Sequence, residues 1–143
     1  AKATIKEGIP KELGIDEKKT SYGSVVCAVK PGDGSAREQA ASCQRVLGGV
    51  ANIAEEYATK RYRSNLINWG MIPFLAEKND FKVGEYVYVK GIRGKLDRGD
   101  TEFSAEILGE NKRKITLKIS PLTDAEKQII EAGCLINYYK SQK

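Results

Sequence analysis

Histidine is absent from the 143 residues of this chain. That absence excludes a zinc site, a Ser-His-Asp triad and a histidine general base, so any proton transfer falls to another side chain. Cysteine is scarce: Cys27, Cys43 and Cys134 make up the whole complement of three. An odd number without a CxxC pair argues against a disulfide framework and for a reducing compartment. It also argues against a metal site held by this chain alone. No apolar run approaches the roughly 20 residues that span a bilayer, and residues 1–22 are polar and charged without a signal-peptide core. A cytoplasmic protein with no membrane partner is therefore expected. No basic stripe is interleaved with aromatics, which ranks nucleic acid well below a metabolite as partner.

What is present suits a single domain. Apolar residues make up 41% of the chain, enough for a real but modest core. The formal charge is +5, a mild basic excess that fits an acidic substrate or a partner subunit. Charges are interspersed except at Lys60-Arg61-Tyr62-Arg63 and Lys112-Arg113-Lys114.

The most informative stretch is Lys30 to Gln39. Val25 to Val29 before it is a short β-branched run and reads as a buried strand. Ala36 to Leu47 after it, rich in Ala, Gln, Glu and Arg, reads as a helix. The sequence between them, Pro31-Gly32-Asp33-Gly34-Ser35, is then a tight loop that aims backbone amides and the positive end of a helix dipole beyond the strand. An anion is the natural occupant. Ser35-Ala36-Arg37-Glu38 also matches a capping box, which alone means only a helix start. Against that, Gly32 and Gly34 leave room for close approach, and Arg37 sits in a first turn whose dipole disfavours a cation.

The rest of the chain follows a strand–helix alternation and then changes texture. Val50 to Ala54 reads as a second buried strand, Tyr57 to Trp69 as a second helix, and Met71 to Phe74 as a third strand. Alternation of this kind implies parallel βαβ units. Beyond Leu75, Tyr86 to Val89, Phe103 to Leu108 and Lys114 to Ile119 read as antiparallel strands. Gly91 to Asp100 reads as a loop, and Gly109 to Lys112 as a hairpin turn. Thr123-Asp124-Ala125-Glu126 is a capping box that opens a helix, and Cys134 to Lys140 continues as helix after Gly133. Trp69 is expected in the core, and Cys43 is expected to be a small buried residue. Residues 1–23, broken by Gly8, Pro10 and Gly14, read as a peripheral arm or linker, with one helical turn at Pro10 to Leu13. Residues 24–143 form the domain.

Gly-Asp-Gly-Ser-Ala-Arg-Glu at residues 32–38 resembles the Gly-x-Gly-Ser-Ser-Arg-Glu loop of the aconitase superfamily's mobile swivel domain. The likeness continues through Leu47 to Tyr57, through Arg63-Ser64-Asn65-Leu66 with Gly70 and Pro73 at the family's spacing, and into the tail from Ile130 to Tyr138. The resemblance implies an α/β fold of the swivelling β/β/α kind: a parallel βαβ core, an added antiparallel hairpin region and C-terminal helices. It implies a hydro-lyase that reversibly dehydrates a hydroxy-polycarboxylic acid, with Ser35 as the base and Arg37 as the carboxylate clamp. The backbone at Gly34 and Ala36 would help to bind the substrate. Arg61, Arg63 and Ser64 become candidates for substrate or domain contact. The family's 4Fe–4S cluster would sit in other domains or in a large subunit, with no metal bound by this chain, and the isolated chain is expected to be inactive. The family's second serine is Ala36 here, and Asp33 is atypical of the loop; both departures bear on which acid is bound. Two other readings stand beside this one: the small subunit of an isopropylmalate-type dehydratase, and a non-catalytic anion- or RNA-binding module.

Overall fold

The computed structural model describes residues 14–16, 18–77, 81–109 and 112–142. In chain order the elements are β1 (Ser24–Ala28), α1 (Arg37–Val46), β2 (Gly49–Ala54), α2 (Lys60–Asn68), β3 (Ile72–Leu75), β4 (Tyr86–Val89), α3 (Ile92–Arg98), β5 (Glu102–Leu108), β6 (Arg113–Lys118), α4 (Asp124–Ala132) and α5 (Leu135–Ser141). Six strands form one sheet in the order β1-β2-β3-β6-β5-β4. The first half is parallel, with Val26 opposite Asn52 and Asn52 opposite Pro73. The second half is antiparallel, as hairpin-linked strands require. The two halves meet where β3 pairs with β6 at Leu75 and Lys118.

Burial follows from these pairings. Strand β2 lies between two parallel neighbours and is almost entirely buried, including Asn52. Strand β5 alternates: Phe103, Ala105 and Ile107 face inward while Glu102 and Ser104 are exposed. Phe103 meets Phe74 edge-on, with ring centroids 5.6 Å apart, and this contact joins the two halves of the sheet in one core with Ile53 and Leu117. A second cluster, Ala41, Tyr62, Leu66 and Met71, packs α1 and α2 together, with Trp69 partly buried against it.

Four local expectations change. Strand β1, expected to be buried, stands at the end of the strand order with Ser24, Val26 and Cys27 exposed, because among the described residues only β2 pairs with it. Gly91 to Asp100 contains α3 rather than a continuous loop: Gly91 and Gly99, both left-handed, bracket a short helix that Leu96 anchors by burial. Helix α2 begins at Lys60, because Thr59 caps it by accepting from the Tyr62 amide at 3.1 Å. Cys43 is exposed on α1 rather than buried. The box at Thr123 forms as the sequence indicates, with Glu126 reaching back to the Thr123 amide. The helical turn expected at Pro10 to Leu13 lies outside the described residues, as does part of the turn after Gly109.

Glu85, just before β4, is clamped by Arg113 at the start of β6 through two bonds of 2.8 and 3.0 Å, and it also accepts from the Lys82 amide. The two-pronged guanidinium, and then that amide, hold the Glu85 carboxyl down at about 2, against an ordinary 4.5. A carboxylate with a lowered folded-state value stabilises the fold above its ordinary value, and that contribution disappears as pH falls through the folded value. The melting temperature of the native chain should therefore exceed that of Glu85→Gln above about pH 4.5, with the gap closing toward about pH 2. Thermal melts of both proteins across this range check it.

Candidate functional site

β1 delivers the chain into the glycine loop, and the segment after β2 receives it. The Val29 carbonyl accepts from the amides of Glu55 and Glu56, both at 3.1 Å, and the Pro31 carbonyl accepts from the Ala58 amide at 3.0 Å. Gly32 adopts φ +97°, and a Cβ built there would lie 2.5 Å from the Tyr62 ring. Only glycine allows the loop to lie flat on that ring. Gly34, by contrast, meets nothing within 4 Å; its backbone is open to whatever approaches.

The Gly32 carbonyl is the hub of the loop. It accepts from Arg37 Nε at 3.1 Å and from Thr59 Oγ1 at 3.4 Å. Arg37 is thus held from behind through Nε, and among the described residues neither of its terminal nitrogens has a protein partner. Two parallel N–H groups of a planar guanidinium match a carboxylate. Lys30, also in the loop, is paired with Glu56 at 2.7 Å, which raises its pKa.

The expected capping box at Ser35 does not form. Ala36 is the N-cap residue of α1, and no side chain caps the helix. A box needs serine at the cap and glutamate three residues later; here Ser35 stands one residue too early, and Glu38 is only two residues past the cap. The Ser35 hydroxyl is consequently exposed and makes no hydrogen bond among the described residues. Beside it the first-turn amides of α1 point outward with the positive end of the helix dipole. Gly34, Ser35, Ala36 and Arg37 come together as one exposed rim with a half-buried arginine at its inner edge.

The Aconitase C-terminal domain family matches residues 15–79, the segment that contains this loop. The methanogen homoaconitase small subunit of Methanocaldococcus jannaschii is 38% identical over 134 residues, covering 91% of this chain and 71% of that protein. A 3-isopropylmalate dehydratase small subunit of Saccharolobus islandicus is 35% identical over 127 residues, covering 88% and 69%. One from Aliarcobacter butzleri is 32% identical over 127 residues, covering 87% and 69%. The chain belongs to the aconitase superfamily. It is a carboxyl-terminal swivel domain of that superfamily, and its mixed sheet with flanking helices agrees with that fold.

In this swivel domain the remaining candidates lie on α2. Arg61 and Ser64 are exposed, and the Ser64 hydroxyl donates to the Lys60 carbonyl at 3.1 Å. Arg63 is occupied elsewhere: Nη1 donates to Glu126 at 3.0 Å, and Nη2 donates to the Ser120 and Pro121 carbonyls, so it braces α2 against α4. No hydrogen bond or ion pair joins these three residues to the glycine loop among the described residues.

Sequence reasoning missed the support behind the loop. The Tyr62 hydroxyl accepts from Gln44 Nε2 at 2.9 Å and from the buried Asn52 Nδ2 at 3.1 Å, tying α1, β2 and α2 together under Gly32. Tyr57 donates to the Phe74 carbonyl at 2.8 Å, and burial, with Tyr62 adding to it, keeps its phenol protonated far above neutrality. The one visible signal was Thr59, a cap residue three positions before Tyr62.

The two loop glycines should respond differently to alanine. Gly32→Ala drives a methyl into the Tyr62 ring at positive φ and should cost roughly 1–3 kcal/mol. Gly34→Ala, with its Cβ in open space, should stay within about 0.5 kcal/mol of the native chain. Urea denaturation of both variants checks the contrast.

Proposed function

We propose that this chain is the swivelling part of an aconitase-like hydro-lyase and supplies the base and the carboxylate clamp for reversible dehydration of a hydroxy-polycarboxylic acid. The observation that carries the reading is the Ser35 hydroxyl, free of any capping duty, set beside the open amides of α1 and an Arg37 whose fork is braced from behind.

Each group has a separable role. Arg37 presents two N–H groups to a substrate carboxylate while its Nε bond to Gly32 fixes the plane of the fork. The amides at Gly34 to Ala36 orient the acid. Ser35 Oγ accepts the proton from the carbon beside a carboxylate. A helix N-terminus stabilises an anion by at most ~2 kcal/mol, and one pKa unit is about 1.4 kcal/mol. The helix end therefore lowers the serine pKa by only about 1.5 units, too little to hold an alkoxide near neutral pH. The remaining stabilisation has to come from charges elsewhere, and the isolated domain is expected to show no turnover.

The cofactor of this reading is a 4Fe–4S cluster in a partner subunit or domain, where it would supply Lewis-acid polarisation of the departing hydroxyl. The residues of this chain do not fit such a cluster: Cys27 lies on β1, Cys43 on α1 and Cys134 before α5, and no group of three potential ligands gathers among the described residues. The relatives named as homoaconitase and 3-isopropylmalate dehydratase small subunits favour a separate large subunit as the partner. Ala36 contributes no side-chain donor, so the acid's specificity rests on backbone amides, Arg37 and the partner. Among the described residues no helix is long and apolar enough to cross a membrane.

Joined to its cluster-bearing partner, Ser35→Ala should lower kcat about 10²–10⁴-fold with KM within a few-fold of native. Its melting temperature should not fall, because Ala36 and not Ser35 is the cap. Arg37→Lys should instead raise KM, since lysine has no planar fork. Steady-state kinetics with parallel melts test this; near-native kcat in folded Ser35→Ala would overturn the assignment.

A further inference from the structure

The bond that holds Arg37 has two ends, and each belongs to a different piece of chain. Arg37 Nε projects from the first turn of α1, and the Gly32 carbonyl that accepts from it at 3.1 Å lies in the loop before that helix. The fork keeps one direction only while loop and helix keep their relative position. The loop alone does not fix that position: Gly34 stands between the two residues, and no side chain caps α1. The helix dipole also disfavours a cation in the first turn. The order at Arg37 has to come from elsewhere in the fold.

Tyr62 reaches both ends of that bond. Gly32 is pressed against its side chain with no room for a Cβ. Tyr62 shares a buried cluster with Ala41, one turn along α1 from Arg37, and its hydroxyl accepts at 2.9 Å from Gln44, further along the same helix. The same hydroxyl accepts at 3.1 Å from Asn52 Nδ2 on β2, a residue with no exposed surface. Loop and helix are therefore referred to one point inside the sheet. Its backbone adds a further link: the Tyr62 amide donates to Thr59 Oγ1 at 3.1 Å, and that hydroxyl lies 3.4 Å from the Gly32 carbonyl. Tyr62 is only 2% exposed, so it does not touch an acid bound at the rim. Any effect it has on binding passes through Arg37.

We propose that Tyr62 is a positioning residue for the carboxylate clamp: by tying Gly32 and α1 to the same buried point, its hydroxyl holds the Arg37 fork in the orientation that receives a carboxylate. The proposal rests on the functional reading above. Phenylalanine at this position keeps the ring beside Gly32 but releases Gln44 and Asn52, so α1 loses its tether to the loop. A fork that is no longer fixed must be ordered at the moment of binding, and that loss of freedom weakens the complex.

The test follows the Arg37 Nε–H by NMR in the full chain, with citrate as the polycarboxylate probe. In the native chain this proton should exchange with water about tenfold more slowly than that of the exposed Arg61, as a hydrogen-bonded group does. Tyr62→Phe should remove most of that protection and weaken citrate binding about three- to tenfold. In an Arg37→Lys chain, which has no Nε–H to place, adding Tyr62→Phe should leave citrate affinity unchanged, because residues that act through one bond do not add. Ile129→Val, a buried change on α4, should lower the melting temperature yet alter neither protection nor affinity. Where Tyr62→Phe does not fold, Gln44→Met, which cuts only the link from the hydroxyl to α1, should give the same losses in smaller measure. Rapid exchange at Arg37 in the native chain, or unchanged exchange in a folded variant, overturns the proposal. Equal loss of affinity in the native and Arg37→Lys backgrounds also overturns it, since Tyr62 then acts on the fold at large. These results leave the functional reading standing. Citrate that shifts no resonance of residues 32–38 overturns the clamp, and with it both readings.

Discussion

The glycine at position 32 lies flat on the ring of Tyr62, and the site depends on that contact. It fixes where the Gly32 carbonyl stands, and that carbonyl receives Arg37 and Thr59. The ring is itself buried and anchored, since its hydroxyl takes amide donors from Gln44 on α1 and Asn52 on β2. The chain of causes runs from a buried strand to a buried amide, to a phenol, to a glycine, to the arginine at the surface. A guanidinium on a flexible stem loses entropy when it binds; one held through its Nε has already lost part of it.

The parts of the site nearest in sequence were legible, and those joined through space were not. The β-branched run before Pro31 and the Ala-rich run after Ser35 correctly placed a strand, a loop and a helix. The pairing of β1 with β2 followed from the alternation of elements. The cap at Ser35 was misread by one residue, because local pattern cannot distinguish Ser35 from Ala36 as the last non-helical position. Tyr62 looked like one more residue of a charged helix. Its role comes from contacts with Gly32, Gln44 and Asn52, brought together only by the fold. Helix α3 was hidden because Gly91, Gly94 and Gly99 read as breakers, whereas Gly91 and Gly99 sit at its two ends, the second as a left-handed C-terminal stop.

The antiparallel half of the sheet supports the site without touching it. Phe103 reaches across to Phe74, and β6 pairs with β3, so the end of β3 is held by residues far along the chain. The bidentate Arg113–Glu85 pair ties the start of β6 to the approach of β4, the last strand in the sheet order.

Helix α2 is completed by elements far along the chain. Arg63 is braced by Glu126 and by the carbonyls of Ser120 and Pro121, and Gly70, just past α2, lies against the Gly133 carbonyl so closely that no side chain would fit. A ribosome emits Glu126 63 residues after Arg63. For most of synthesis the loop, α1 and α2 are present but one side of α2 is bare, while β4 to β6 can form hairpins on their own. The site-bearing half then acquires its full set of contacts only after these distant partners have emerged, and a chain stopped before residue 133 would carry every site residue on an unfinished wall.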